Sequence, residues 1–545
     1  DGLHGEIAPS FASNGRKTAT SVKLESSVPK LHDWAWRVQG SLKRSGDIQT
    51  ADYVLNNTAA REANFAIATG VQKEVGAVEA FYSRYENESS VFYGSHIGNL
   101  DDLLARFEIG RPLTTYPFSY NIEAPKQKVI HHLFKAKAYY LPPFGGKFTT
   151  QYAFQKDIRQ EFSLRRLDRT RIPALNMWLT THLVEAYWES IDNPLWKTTI
   201  GGSFSHQDNY NQPGTGVVPV IPNFASISYG AFAIEKYHKG KWTGEAGIRY
   251  DYKYLNADGY DMYSQRYGGE HNFHNITYSL GGSWEASDKL SLSSNIGVAW
   301  RAPQVNELYS SGLHHGAGTY NLGDSSLHPE TGVKWITALD YKNPDKGIDL
   351  SVDAYAQVIK GYIYDYPTGE TRTLFSGVYP IFQYTQADAF FRGADLEALI
   401  RLAQWHEHSQ SLSYEFRGAL VFANELKTGR YFPFIPAPRL SQSLLWKSAP
   451  RGIFQSLEAS IGHIFVAKQT RFEASQEMVA TTPEAYHLFE AAIGGTINIG
   501  QHQSLGIRLS GENLLNKLYK EYTNRFRYYA HDLGRNIYLR LNYNF

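Results

Sequence analysis

Segment after segment of this chain alternates between apolar and polar side chains with a period of two, and that restricts its fold more than any other property. In residues 289–301, Leu290, Leu292, Ile296, Val298 and Trp300 fall on one face; Lys289, Ser291, Ser293, Asn295 and Arg301 fall on the other. A period of two is the pleat of a β-strand. The closing segment repeats it, with Ile537, Leu539, Leu541, Tyr543 and Phe545 on one side and Asn536, Tyr538, Arg540, Asn542 and Asn544 on the other. A face of Asn, Arg, Ser and Lys does not pack as a dry core, so the polar side is expected to face water and the apolar side lipid. No apolar run reaches the ~18 residues of a membrane helix. Alternating strands average to a soluble-looking value, here a mean hydropathy of −0.41, so a membrane barrel stays open.

Walking the chain for such segments gives strand starts near residues 4, 17, 33, 61, 76, 127, 146, 172, 197, 226, 241, 273, 289, 332, 347, 380, 408, 439, 453, 485, 502 and 534. The reading is all-β: a transmembrane antiparallel β-barrel of about 22 strands, an even number within the outer-membrane range. Connections alternate in length. Short ones such as 72–76, 142–147, 238–241 and 286–289 read as turns on one rim. Long ones, 86–126, 207–225, 256–272, 302–331 and 472–484, read as external loops on the other. A soluble propeller would need a repeat of ~40 to 45 residues, and the chain has none. All of 1–545 therefore reads as one barrel domain.

Composition removes several functions. Lys and Arg total 54 against 53 Asp and Glu, so there is no basic surface for nucleic acid. The absence of cysteine excludes thiolate metal sites and cysteine nucleophiles. There is no nucleophile elbow, HExxH or phosphate loop, and an enzyme with a resident cofactor is not expected.

Particular segments point to a family. "SGENLLNKLYKEY" from Ser510, "GRNIYLRLNYNF" from Gly534 with its terminal aromatic, and "FRGADLEALIRL" from Phe391 resemble strands of the TonB-dependent outer-membrane receptors. "WRAPQVNELYSSGLHHGAGTYNLGDSSLHPETG" from Trp300 resembles the end of one strand and the external loop after it. The resemblance implies a Gram-negative outer-membrane location within lipid, uptake driven through the TonB complex, and a surface lipoprotein as a further partner. It also implies an N-terminal plug. Asp1 to Ser13 already reads as the first barrel strand, so a plug is expected outside this numbering. A plugless barrel serving as a scaffold or partner-docking component is the alternative.

Three segments bear on the ligand. In "SHIGNLDDLLARFEIGRPL" from Ser95, Ile97, Leu100, Leu103, Leu104 and Phe107 have helical spacing opposite Asp101, Asp102 and Arg106. This predicts an amphipathic helix that either enters the barrel mouth or packs on other loops. His96 precedes it. In "QYAFQKDIRQEFSLRR" from Gln151, one parity places Gln151, Gln155, Asp157, Arg159 and Glu161 inward, with Glu161 near the external mouth. An ion pair with Arg159 is its plain structural reading. In the loop after Arg301, His314 and His315 are adjacent and His328 follows; imidazole suits Zn²⁺ and also haem iron. "NELYSSGLHHGAGTYNLGD" is most similar to the zinc-uptake branch of the family. That resemblance implies His314 or His315 together with Glu161 as metal ligands, the plug supplying the rest, with His96, Arg301 and Tyr309 as loop residues toward the substrate. "WRAP" followed by a histidine also resembles haem receptors, although the second box reads only "GDSSL". Nickel, copper, cobalamin and siderophores stay open, since geometry rather than affinity selects among such ligands.

Overall fold

In a computed structural model the chain forms a closed antiparallel barrel. The structure describes residues 2–28, 31–164, 169–261, 263–314, 316–374, 376–405, 409–450 and 452–545. The main sheet has 24 strands. Two of them, Ser311–His314 and Thr319–Leu322, form a hairpin inside the mouth; the other 22 make the wall. The first wall strand, Leu3–Ala12, pairs with the last, Asn536–Asn544. At that seam the ladder skips from Ile7 to Ser10. Pro9 stands in the gap, and proline has no N–H to offer. The terminal aromatic anchors the seam, since Gly5 N–H donates to Phe545 O at 2.8 Å and Phe545 N–H returns to Gly5 O at 3.0 Å.

The strand starts expected from alternation fall within three residues of the observed ones except that near 273, where the strand begins at Arg266; the inside–outside parity holds. Outward rows are apolar and accessible to lipid: Leu280, Ile296 and Trp335 stand side by side across three strands, 63%, 49% and 57% exposed. Trp242 and Trp284 stack with ring centroids 5.3 Å apart at the short-turn rim, as an interfacial aromatic girdle requires. Inward positions carry ion pairs, among them Lys43 with Glu62 and Arg249 with Asp251. Arg249 also donates to Ser203 Oγ at 2.8 Å.

One expected loop is corrected. The 256–272 stretch is mostly strand: Trp242–Tyr260 and Arg266–Ser287 stay paired until Tyr260 meets Arg266. The polar residues there line a hairpin standing clear of the membrane, where alternation no longer has an apolar side to reveal it. A larger extension, Ile348–Leu374 with Gly377–Trp405, has strands of 27 and 29 residues. A tilted crossing needs only ~9 to 11, so most of the surplus rises above the bilayer. Bulges at Ile359/Tyr362 and Pro367/Thr371 bend it, and its inner edge accepts the short hairpin in parallel, with Tyr320 opposite Ile381.

The amphipathic helix forms over Leu100–Ile109. Asn99 caps it by accepting from the Asp102 N–H at 2.8 Å, and Gly110 ends it at φ 66° with its N–H on Arg106 O. Its buried stripe is narrower than the sequence suggests. Leu103 is fully buried, while Leu100 and Leu104 are exposed. The helix packs on other loops, in a cluster of Tyr53, Leu55, Phe92, Ile97, Val378, Tyr528 and Tyr529 with Phe107 against it.

Candidate substrate site at the external mouth

The 311–322 hairpin exists because residues 302–329 cannot leave the wall as a free loop. Val305, Leu308, Tyr309 and Leu327 are buried against Leu255, Ala257, Phe273 and Ile363 of the wall and its extension. Leu313 and Tyr320 pack on Tyr379 and Ile381. With both ends pinned, the tip of the hairpin is pushed toward the strands Lys126–Tyr140 and Lys147–Phe162. There the unmade Cβ of Gly316 lies 4.0 Å from Gln127 Oε1 and 3.4 Å from His314 Cε1.

His314 and Glu161 are thereby brought into electrostatic reach. Burial holds the His314 imidazole below the ordinary histidine range, Glu161 pulls it back up, and Arg159 and Arg525 push it down. The ring is therefore neutral at pH 7, the state a metal requires. Its Nδ1 accepts the Ala317 N–H at 3.1 Å, so the proton of the neutral ring sits on Nε2. Ligation would need the other tautomer or a turned ring.

Glu161 occupies an inward, 3% exposed position near the mouth. Arg159 grips it, Nε to Oε1 at 2.8 Å, and reaches Gln127 Oε1 at 3.1 Å. The ion pair anticipated from sequence and the approach to His314 thus coexist. Arg525 closes the far side, bidentate on Asp365 at 2.6 and 2.7 Å and lying over the rings of Phe382 and Phe434.

The other sequence candidates fall differently. His315 lies outside the described residues. His96 stands near the hairpin turn through its neighbour Ser95, whose Cβ is 3.0 Å from where Gly318 would carry one; its ring meets Tyr379 edge-on at 5.8 Å. Arg301 is not brought to His314: it spans Glu307 at 2.7 Å and Glu330 at 2.9 Å and ties the loop start to the next strand. Tyr309 is buried, its hydroxyl 2.5 Å from His271 Nε2. Among the described residues no group of three or more His, Asp or Glu is placed to hold a metal.

Beside the hairpin a cavity of about 380 Å³ opens between Gln127, Gly316, Phe92, Phe526, His531 and Asp532. His531 is held to Tyr53 Oη at 3.0 Å, and burial, with Lys520 and Arg111, lowers it to about 4. Burial raises Asp532. Sequence reading passes over this wall of the site. Its signal is "NRFRYYAHD" from Asn524, where arginines sit among aromatics: Arg527, 3% exposed, is paired to the equally buried Glu477, and Tyr522 Oη donates to Glu477 at 2.6 Å.

Comparison with known proteins agrees with this architecture. Residues 35–514 match the family model described as "TonB dependent receptor-like, beta-barrel". Among solved structures, the copper transporter OprC superposes with a TM-score of 0.75 at 14% identity, over 100% of this chain and 80% of that one. The FrpB iron transporter from Neisseria meningitidis gives 0.73 at 13% identity, covering 100% and 82%. The siderophore receptor PirA from Acinetobacter baumannii gives 0.71 at 12%, covering 100% and 81%. At such identities the likeness is one of fold.

Proposed function

The chain belongs to the TonB-dependent receptors of the Gram-negative outer membrane, and from that premise we propose that it takes up a metal, zinc, through a site begun by His314 and Glu161. It is a transporter and not an enzyme. The observation that carries the zinc reading is the docking of the 311–322 hairpin, which brings a neutral histidine within electrostatic reach of an inward carboxylate far from it in sequence. One imidazole nitrogen and one carboxylate oxygen suit Zn²⁺, which takes four ligands. The remaining donors would come from His315 and from a plug seated in the lumen. Zinc would displace Arg159 from Glu161 and the Ala317 N–H from His314, so occupancy would rearrange the mouth. Because the plug would hold some of the ligands, the TonB complex, pulling on it with energy from the inner membrane, would break the site and release the metal inward.

A second reading is an anionic metal chelate, such as haem or a ferric siderophore. It is favoured by Arg159 and Arg525, whose charges reach His314 and which could exchange Glu161 and Asp365 for carboxylates of the ligand. The plug-containing receptor, titrated in detergent with zinc, copper and haem in turn, separates the two. Stoichiometric zinc that is lost in His314→Ala, without a Soret shift for haem, supports the first. A Soret shift lost in the same variant supports the second, and retention of every ligand by the variant removes His314 from the site.

A further inference from the structure

Strand parity places an unusual set of charges on the lipid side of the wall. Register carries Thr18, Arg44, Arg61, Glu88, Lys128 and Gln160 across one outward row. Thr20, Leu42, Ala63, Glu86, Ile130 and Ile158 form the next row down. Arg84, Lys126 and Lys156 share this face, since their neighbours in register include Phe65, Phe162 and His132 beside Phe134. Arg44, Arg61, Lys126 and Lys128 lie at the long-loop ends of their strands, and Arg84 and Lys156 lie six residues in from Ser90 and Phe162. Among the described residues two carboxylates answer these six cations: Glu88 pairs with Arg61 and Lys126, and Glu86 with Arg84 and with Lys128 at 3.1 Å. Arg44 and Lys156 have aromatic faces instead, Tyr120 at 4.8 Å and Trp178 at 4.3 Å.

Exposed apolar side chains stand among these charges, Leu42 (67% exposed) in the row of Glu86 and Phe65 (46%) opposite Arg84, and Phe134 (39%) follows on the next row down. A groove of about 570 Å³ opens among these side chains, lined by Thr20, Leu42, Arg44, Arg61, Ala63 and Glu88 and reaching Lys43 and Glu62 of the inner face. Cations interleaved with exposed apolar side chains describe the complement of an anionic amphiphile. Five strands at ~4.8 Å spacing make the sector ~19 Å wide, broader than one phosphate.

We propose that this sector is a binding site for a phosphorylated glycolipid of the outer leaflet, its phosphates held by Arg44, Arg61, Arg84, Lys126, Lys128 and Lys156. Its acyl chains lie along Leu42, Phe65 and Phe134. Guanidinium forks and ammonium groups take phosphate oxygens in charge-assisted bonds, and the bound lipid balances the excess of positive charge that the two glutamates leave.

The test uses the full-length receptor in detergent and native mass spectrometry. The probes are a bisphosphorylated, acylated glucosamine disaccharide, its dephosphorylated form, and inorganic phosphate as competitor. The receptor should prefer the phosphorylated lipid, and Arg44→Gln with Lys156→Gln should weaken that binding about 30-fold, the expectation for removing two headgroup-facing cations. Among the described residues these two have no carboxylate partner, so their loss strands no anion there. Arg392→Gln, on a distant outward position over Phe390 and Phe422, should change nothing. Equal retention of both lipids by the unaltered receptor overturns the proposal without any variant, and so does displacement of the lipid by millimolar phosphate. An unchanged preference in the folded double variant overturns it as well.

Discussion

Arginine scanning along one strand tests the inside–outside assignment, because register gives each position a depth. Leu292 lies opposite Trp284, which stacks on Trp242 at the short-turn rim; it is at the girdle. Ile296, four residues on and 49% exposed, lies ~14 Å further along the strand and, at a tilt near 40°, ~10 Å deeper. The apolar band is ~25 Å tall, so Ile296 is close to the midplane. Arginine on the lipid face costs ~2 to 4 kcal/mol at the midplane and ~0 to 1 near the interface. Ile296→Arg should therefore lower the folded-to-unfolded ratio by about 30- to 900-fold, and Leu292→Arg by at most about fivefold. Asn295→Arg, facing the lumen, should be close to neutral. The assay is reversible urea unfolding in phospholipid vesicles, followed by tryptophan emission and by heat-modifiable gel migration. If Asn295→Arg costs as much as Ile296→Arg, or Ile296→Arg costs nothing, the parity is reversed and the outward rows described above are wrong.

Four further outcomes follow from the mouth. His314 is held neutral by burial, so if it ligates the transported metal as proposed, protons should begin to compete only below the ordinary histidine value of ~6.5; a binding-versus-pH titration in which affinity already falls from pH 7.5 would contradict this. Glu477→Gln should leave the Arg527 charge buried and cost about 3 to 5 kcal/mol locally, seen as faster protease nicking in 513–535 with the barrel still heat-modifiable. Gly318 has φ 63° and Ser95 3.0 Å from its missing Cβ, so Gly318→Val should shift the hairpin and weaken ligand binding without unfolding the wall. His531 sits at about 4 in the folded loop against ~6.5 unfolded. The unfolded loop thus binds the proton first, and the His531 contribution should be complete above pH ~6.5 and lost as pH falls toward 4, measurable as amide exchange in 524–533.

Strand number, rims and parity are legible in the sequence because each depends on a residue and its neighbours two apart. The wall needs nothing from distant chain except a partner of the same period. Legibility fails where lipid stops: above the bilayer Asn256 and Asn272 belong to paired strands, yet both faces are wet and the alternation vanishes. It fails again at Leu100 and Leu104, whose helical spacing is right. The surface that buries a loop helix is made of other loops, and these two face none of it.

The site follows the same division. Glu161 is legible as inward and near the mouth, since strand direction and parity decide both. Its coming within electrostatic reach of His314 depends on the Thr319–Leu322 arm of the hairpin pairing in parallel with the strand at Ile381, a pairing between segments with no local rule to join them. Arg301 illustrates the converse. Its place beside the resembling loop suggests a role toward the ligand, but Glu307 and Glu330 take both edges of its guanidinium. What it does is hold the loop's entry against the wall, so that the hairpin, pinned there and by Tyr320 at its other end, has one place left to put His314. Arg301→Ala should therefore weaken ligand capture by releasing the hairpin, and Arg301→Lys should rescue little, because an ammonium cannot span two carboxylates as a fork does. Rescue to full affinity by lysine would mean that charge alone, and not the clamp, sets the position of the loop.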